Sequence, residues 1–187
     1  MNAFNGRASQ SRQEKMAPTK SIAQWHAKEP AFYYRPGAPI DTIKPEYPRG
    51  PRGADVRVSS QYFPNKIGFT AKCTILDEPK RYMDDPKNPL TLSVGGDDFI
   101  DFLGKIEAII APGMKEELRP AKKTNDFGKS YTKTKVSDLN RLWKNDTERT
   151  ETFPAREQQV IIMGTIKPYV VNGVWGLTTT IFQMQEV

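Results

Sequence analysis

The chain has 187 residues, enough for one domain of ordinary size with a tail and for a proper core. Its 28 Lys+Arg against 22 Asp+Glu leave a formal charge of +6, which leans toward an anionic partner, nucleic acid above all, without singling one out. The lone Cys73 excludes an internal disulfide, and no apolar run reaches the roughly 18 residues of a membrane span or forms a signal-peptide core, so an intracellular, soluble protein is expected.

Residues 1–20 are polar and have almost nothing to bury, which reads as a disordered tail. From 21 to 55 the character changes. Trp25, Phe32, Tyr33, Tyr34 and Tyr47 are interleaved with Pro30, Pro36, Pro39, Pro45, Pro48 and Pro51. That proline spacing forbids a long helix or a central strand, yet the aromatic load is wrong for a plain linker. Two readings stand side by side. The arm wraps its own domain and seats its aromatics in surface grooves, or it docks on a neighbouring copy and presents Phe32, Tyr33 and Tyr34 with Arg35 to a ligand.

The body is expected from 56 to 187. Lys66 to Leu76 alternates, with Ile67, Phe69, Ala71, Cys73 and Ile75 on one side and Lys66, Thr70, Lys72 and Thr74 on the other, as in a half-buried strand with a polar outer face. On the apolar side Cys73 is a small core residue rather than a reactive thiol. Asp77 to Pro89 reads as a loop, and Leu90 to Val94 as a short strand ending at Gly95-Gly96. Over 97–110 Phe99, Phe102, Leu103, Ile106, Ile109 and Ile110 make one stripe at helical spacing, with Asp97 or Asp98 as cap and Ala111-Pro112-Gly113 as stop. This is the one main helix.

Arg119 to Lys144 carries Arg119, Lys122, Lys123, Lys129, Lys133, Lys135, Arg141 and Lys144 against only Asp126 and Asp138. On an extended strand Tyr131, Lys133 and Lys135 share one face, with Phe127 in the turn just before it. Val136 to Trp143 reads as a short helix capped at Ser137, which buries Trp143 with Leu139 and Leu142. A polar connector over 147–157 leads to the last element.

Val160 to Val187 holds two β-rich runs around Asn172-Gly173, the dipeptide suited to a type I′ hairpin turn. Counting outward, Val171 faces Val174, Val170 faces Trp175, Tyr169 faces Gly176, Lys167 faces Thr178 and Thr165 faces Thr180. One face collects Val170, Ile166, Ile162, Trp175, Leu177 and Ile181 and is core. The other collects Tyr169, Lys167, Thr165, Thr178 and Thr180 near the tip, then Met163, Phe182, Ile161 and Met184 below. The base is therefore apolar on both faces and must be covered. Pro168 falls where its missing N–H points away from the hairpin. Strands, a helix and strands again, without βαβ alternation, predict a mainly β chain, an OB-like and partly open β-barrel with its helix between the third and fourth strands.

The search for chemistry is short. One His and one Cys cannot build a zinc site, and His26 lies in the arm far from Cys73. The acid pairs Asp77/Glu78, Asp84/Asp85, Asp97/Asp98 and Glu116/Glu117 are each adjacent in sequence, so strands point them apart and helix starts use them for the dipole. Gly95-Gly96-Asp97 lacks both P-loop and dinucleotide spacing. No metal, cofactor, small-molecule substrate or catalytic set is expected. What remains is basic residues interleaved with aromatics, the pairing that tracks phosphates and stacks unpaired bases. The candidate nucleic-acid-binding residues are Lys122, Lys123, Phe127, Lys129, Tyr131, Lys133, Lys135, Arg141, Lys144, Lys167 and Tyr169, with Trp175 kept for the core. A solvated, solubilising loop is the bland reading of the same lysines.

The run Gly164, Lys167-Pro168-Tyr169, Asn172, Gly173 and Gly176-Leu177, ending in Gln183, resembles the C-terminal part of the OB-fold single-stranded-DNA-binding proteins of phages and large DNA viruses, the T7-like proteins among them. The resemblance covers about 25 residues. It implies a non-catalytic protein that coats unpaired DNA during replication, recombination or repair, in the host cytoplasm or nucleus. T7-like members end in an acidic tail that recruits replication partners. This sequence ends at Gln185-Glu186-Val187, so partner or self-contacts would fall to residues 21–55 instead. RNA as ligand, or a viral structural protein that assembles through its arm, are the alternatives.

Overall fold

Five long strands pair in a circuit that returns to its start, and everything else is laid on that circuit. The computed structural model describes residues 34–187 apart from 52, 62 and 146. The tail at 1–20 and, within the arm, Trp25, His26, Phe32 and Tyr33 lie outside the described residues, as does the side chain of Leu139. In chain order the elements are a ribbon of β1 (Lys44–Glu46) and β2 (Arg57–Ser59), then β3 (Ile67–Ile75), β4 (Lys80–Arg81) and β5 (Leu90–Gly95). The helix α1 (Asp97–Ile110) follows, with β6 (Glu117–Arg119), β7 (Lys123–Thr124) and β8 (Ser130–Trp143) after it. β9 (Arg149–Thr150), β10 (Gln159–Val171) and β11 (Val174–Glu186) complete the chain.

The pairings run β3–β5–β8–β11–β10 and back to β3, all antiparallel except β8 with β11. The β3–β5 junction is short, only Thr74 with Gly95 and Ile75 with Val94. The chain is thus mainly β and OB-like, a sheet curled into a partial ring. The helix sits between the second and third ring strands, not the third and fourth. The expected position fails because the basic stretch after the helix, not a strand before it, supplies the third strand.

Inward side chains fill the ring: Ile67, Phe69, Cys73, Leu92, Val94, Val136, Val160, Ile162, Ile166, Trp175 and Ile181 are buried. The helix stripe of Phe99, Phe102, Leu103, Ile106 and Ile110 joins them, with Phe99 stacked on Phe69 at 4.9 Å between ring centres. Asp97 and Asp98 lie inside the first turn, where they complement the dipole; the capping residue is Gly96, which has no side chain to bond with. From Tyr34 onward the arm lies on this body. Tyr34 bridges to β3, its N–H donating to Gly68 O and its carbonyl accepting from Thr70 N, each at 2.9 Å. Ile43 is buried, and the Tyr47 hydroxyl donates to Ile110 O at 2.6 Å.

The hairpin register is the one counted from Asn172-Gly173, whose positive φ angles of 52° and 78° suit the type I′ turn. Pro168 lies just beyond Ile166↔Ile67, where the β10–β3 ladder has ended, so its missing N–H costs no ladder bond. Two further expectations fail. Between Ile181 and Gln183 the register shifts, so Phe182 is an extra residue and Met184 moves to the core opposite Ile162, fully buried, instead of sharing a face with Met163. And Val136 to Trp143 is not a helix but the second half of β8. Its backbone pairs with β11 at Val136 and, past an irregularity over 137–140, again from Arg141 to Trp143, and with β9 at Leu142 and Trp143. A helix would satisfy its own bonds yet strip the β11 edge of its partner, so tertiary pairing overrides the local preference of Ser137, Asp138 and Asn140.

Candidate nucleic-acid interface

Strand β8 is the spine of the site. It opens as a hairpin with β7, Ser130 against Thr124 and Tyr131 against Lys123. Asn125 ties the turn: its side-chain oxygen accepts from Phe127 N at 3.0 Å and Lys129 N at 2.9 Å, and its own N–H donates to Lys129 O. Phe127 therefore projects from a bonded turn, 87% exposed. Beyond the turn the strand alternates. Thr132, Thr134 and Val136 are buried, while Lys133 and Lys135 are exposed and Tyr131 is half-buried on the same outward side.

Opposite these lysines the tip of β11 leaves β8. Above Lys135↔Thr180 it pairs instead with β6, Trp175 against Leu118. The divergence opens a cleft of about 760 Å³ lined by Arg119, Lys123, Lys133, Lys135, Tyr169 and Thr178, with Pro120 and Ala121 also in its wall. Among the described residues four cations and no carboxylate line it, so anions are favoured there by charge alone. Tyr169 lies across β11. A methyl at Gly176 would come within 2.9 Å of the Tyr169 hydroxyl and 2.8 Å of Arg119 O, so glycine is what lets the ring lie there.

On the other side of β8 a second depression of about 750 Å³ is lined by Phe127, Lys129, Tyr131 and Arg156 together with Asp77, Asp126 and Glu157. Its charges are mixed. What it adds is aromatic surface beside the cationic cleft, along one outward face of β5 and β8.

Of the residues marked from sequence, Lys123, Lys133, Lys135 and Tyr169 meet at the cleft, and Phe127, Lys129 and Tyr131 at the adjoining depression. Lys122 is exposed on the link between β6 and β7, and Lys167 is exposed on β10 opposite Thr178 of the cleft. Two are placed elsewhere. Arg141 lies opposite Gln183 at the far end of β8, where burial and then the charge of Arg149 lower its pKa. Lys144 is within 3.9 Å of Glu148 beyond that end. Residues outside that set also reach the site. Arg119 and Arg156 do so directly, and Lys80 shares Thr91 with Lys135 as cross-strand neighbours, extending the basic row over β5. Beside Lys80 stands Tyr82, 74% exposed. Lys80-Arg81-Tyr82 is a basic–aromatic cluster legible in the sequence, hidden there by the prolines and aspartates of its loop.

One carboxyl group stands behind the cleft wall and is bonded to it. Glu107, on the buried side of α1, accepts a hydrogen bond from Ala121 N at 2.6 Å; burial pushes its pKa up and this bond pulls it back. Burial likewise pushes the Cys73 thiol far up, in keeping with a core role. Among the described residues no cluster of His, Cys, Asp and Glu is arranged to hold a metal, and no helix is long and apolar enough to cross a membrane.

No protein-family model and no curated protein matches the sequence. Among solved structures, the chain is similar to gp2.5, a single-stranded DNA binding protein encoded by bacteriophage T7, with 14% identity and a TM-score of 0.47 over 65% of this chain and 86% of that one. It is also similar to the single-stranded DNA-binding protein from bacteriophage Enc34, with 11% identity and a TM-score of 0.45 over 71% and 83% of the two chains. A C-terminal truncation of the Enc34 protein aligns at 14% identity and a TM-score of 0.45, over 79% of this chain and 96% of that one.

Proposed function

We propose that this protein binds single-stranded DNA without catalysis and coats unpaired strands during replication, recombination or repair. The observation that carries the reading is the composition of one sheet face, where a cleft that among the described residues holds four cations and no acid adjoins Tyr169, Tyr131 and the exposed Phe127. The cations neutralise phosphates and release counterions. The aromatic rings stack on bases, each stack worth about 1–3 kcal/mol and indifferent to sequence. A duplex offers phosphates but keeps its base faces stacked, so the aromatics favour the single strand. The assembly reading draws less support, since Tyr34 and Tyr47 of the arm are engaged with the chain's own β3 and α1.

The test is a fluorescence-anisotropy titration with labelled oligo-dT, matched duplex DNA and matched RNA at two salt concentrations. Tight binding that prefers the single strand and weakens with salt is expected. Binding that favours the duplex, or none at low salt, would overturn the reading; equal affinity for RNA would widen it to single-stranded nucleic acid.

A further inference from the structure

We infer that Glu107, a helix residue on the buried side of α1, is a positioning residue for the cleft: its carboxyl group holds the wall that carries Arg119, Lys122 and Lys123 in place for the strand. The inference rests on the nucleic-acid reading of the cleft.

The wall needs holding because of how it is made. β6 ends at Arg119 after three residues paired to the hairpin tip, and β7 starts at Lys123 with two residues paired to β8. The link between them, Pro120-Ala121-Lys122, spans from one side of the cleft to the other. Proline has no N–H to give, so the first donor on the link is the Ala121 amide. That amide donates to Glu107 Oε1 at 2.6 Å, a short hydrogen bond. Glu107 is only 8% exposed and sits one residue from Ile106, which is fully buried in the core, so the acceptor is fixed by the packing of the whole helix. A buried carboxyl on an otherwise apolar helix face is costly unless it is hydrogen-bonded, and the Ala121 amide supplies that bond. Here it fixes the backbone between three exposed cations, of which Arg119 and Lys123 line the cleft.

The experiment measures oligo-dT affinity against salt for the full chain and for Glu107→Gln, Glu107→Asp and Glu107→Ala, below the melting temperature of each. On a single strand the slope of log K against log salt changes by about 0.7 for each phosphate contact. Glu107→Gln keeps an oxygen of the same reach and should stay within a few-fold of the parent, with its slope. Glu107→Asp keeps the charge but is one methylene short of Ala121; it should bind roughly tenfold more weakly with a slope flatter by about 0.7–1.4, one to two lost contacts. Glu107→Ala should do the same if it folds. Glu107→Asp and Glu107→Ala variants that melt earlier yet keep the parental slope and affinity would overturn the inference and leave the cleft's function standing. A parent chain that does not bind oligo-dT would overturn both.

Discussion

One outward sheet face is built in two halves that behave differently. The strands β8, β10 and β11 run through both, and the extra residue Phe182 changes which β11 side chains face outward, from Thr178 above it to Gln183 and Gln185 below. Toward the hairpin tip that face shows Tyr131, Lys133, Lys135, Thr178, Lys167 and Tyr169, half-buried or exposed. Toward the base it shows Trp143, Met163, Gln183 and Gln185, all buried, with Thr70 of β3 beside Met163. Alternation puts a residue on a face; it does not decide whether that face meets water. The register shift at Phe182 marks the border, and on the open side the same strands offer charge and rings instead of packing.

The largest effect should come from the closed half. Trp143→Ala removes a nearly fully buried ring and should cost about 3–5 kcal/mol of stability, as core Trp truncations do, with a clear fall in melting temperature. Oligo-dT affinity of the fraction still folded should be unchanged. Trp175→Ala, inside the ring, should destabilise by a similar amount. A Trp143→Ala protein that melts normally but loses DNA would place the binding face at the wrong end of the sheet.

Which parts of this were legible in the sequence follows from how local their causes are. The register from Val171↔Val174 to Thr165↔Thr180 is dictated by two turn residues, and it could be counted without the fold. The outward set Tyr131, Lys133 and Lys135 needed only strand alternation, and Phe127 only the Asn125 turn. The place of Met184 is not legible, because one extra residue, Phe182, reverses everything after it and nothing near Phe182 announces a bulge. The end of β8 is not legible either, because its conformation is decided by pairing with β9 and with β11, which is distant in sequence. The cleft itself was not legible, because its depth comes from β6 pairing with β11 in place of β8, and Arg119 and Glu107 gain their roles only through that.

On the open half the aromatic residues come next in size. Tyr169→Ala should weaken oligo-dT binding by about 1–3 kcal/mol, roughly 5- to 150-fold, with little change in melting temperature, because its ring lies over Gly176 and not in the core. Phe127→Ala should fall at the low end of that range and leave stability untouched, since the ring is 87% exposed. Calorimetry beside anisotropy separates the two halves directly: a Tyr169→Ala variant whose melting temperature falls as far as that of Trp143→Ala would mean the face is closed at both ends.

The smallest effect isolates charge. Lys135 stands in the row that joins Lys80, through Thr91, to Thr180, exposed and at the edge of the cleft. Lys135→Ala should lower affinity only modestly at high salt, but flatten the salt dependence by about 0.7, one phosphate contact on a single strand. Lys144, paired with Glu148 beyond the far end of β8, serves as the control: its removal should leave the slope where it was. If both substitutions changed the slope equally, the attraction would be a property of the net charge of +6 rather than of the cleft, and the open half of the face would lose its claim to the phosphates while keeping its claim to the bases.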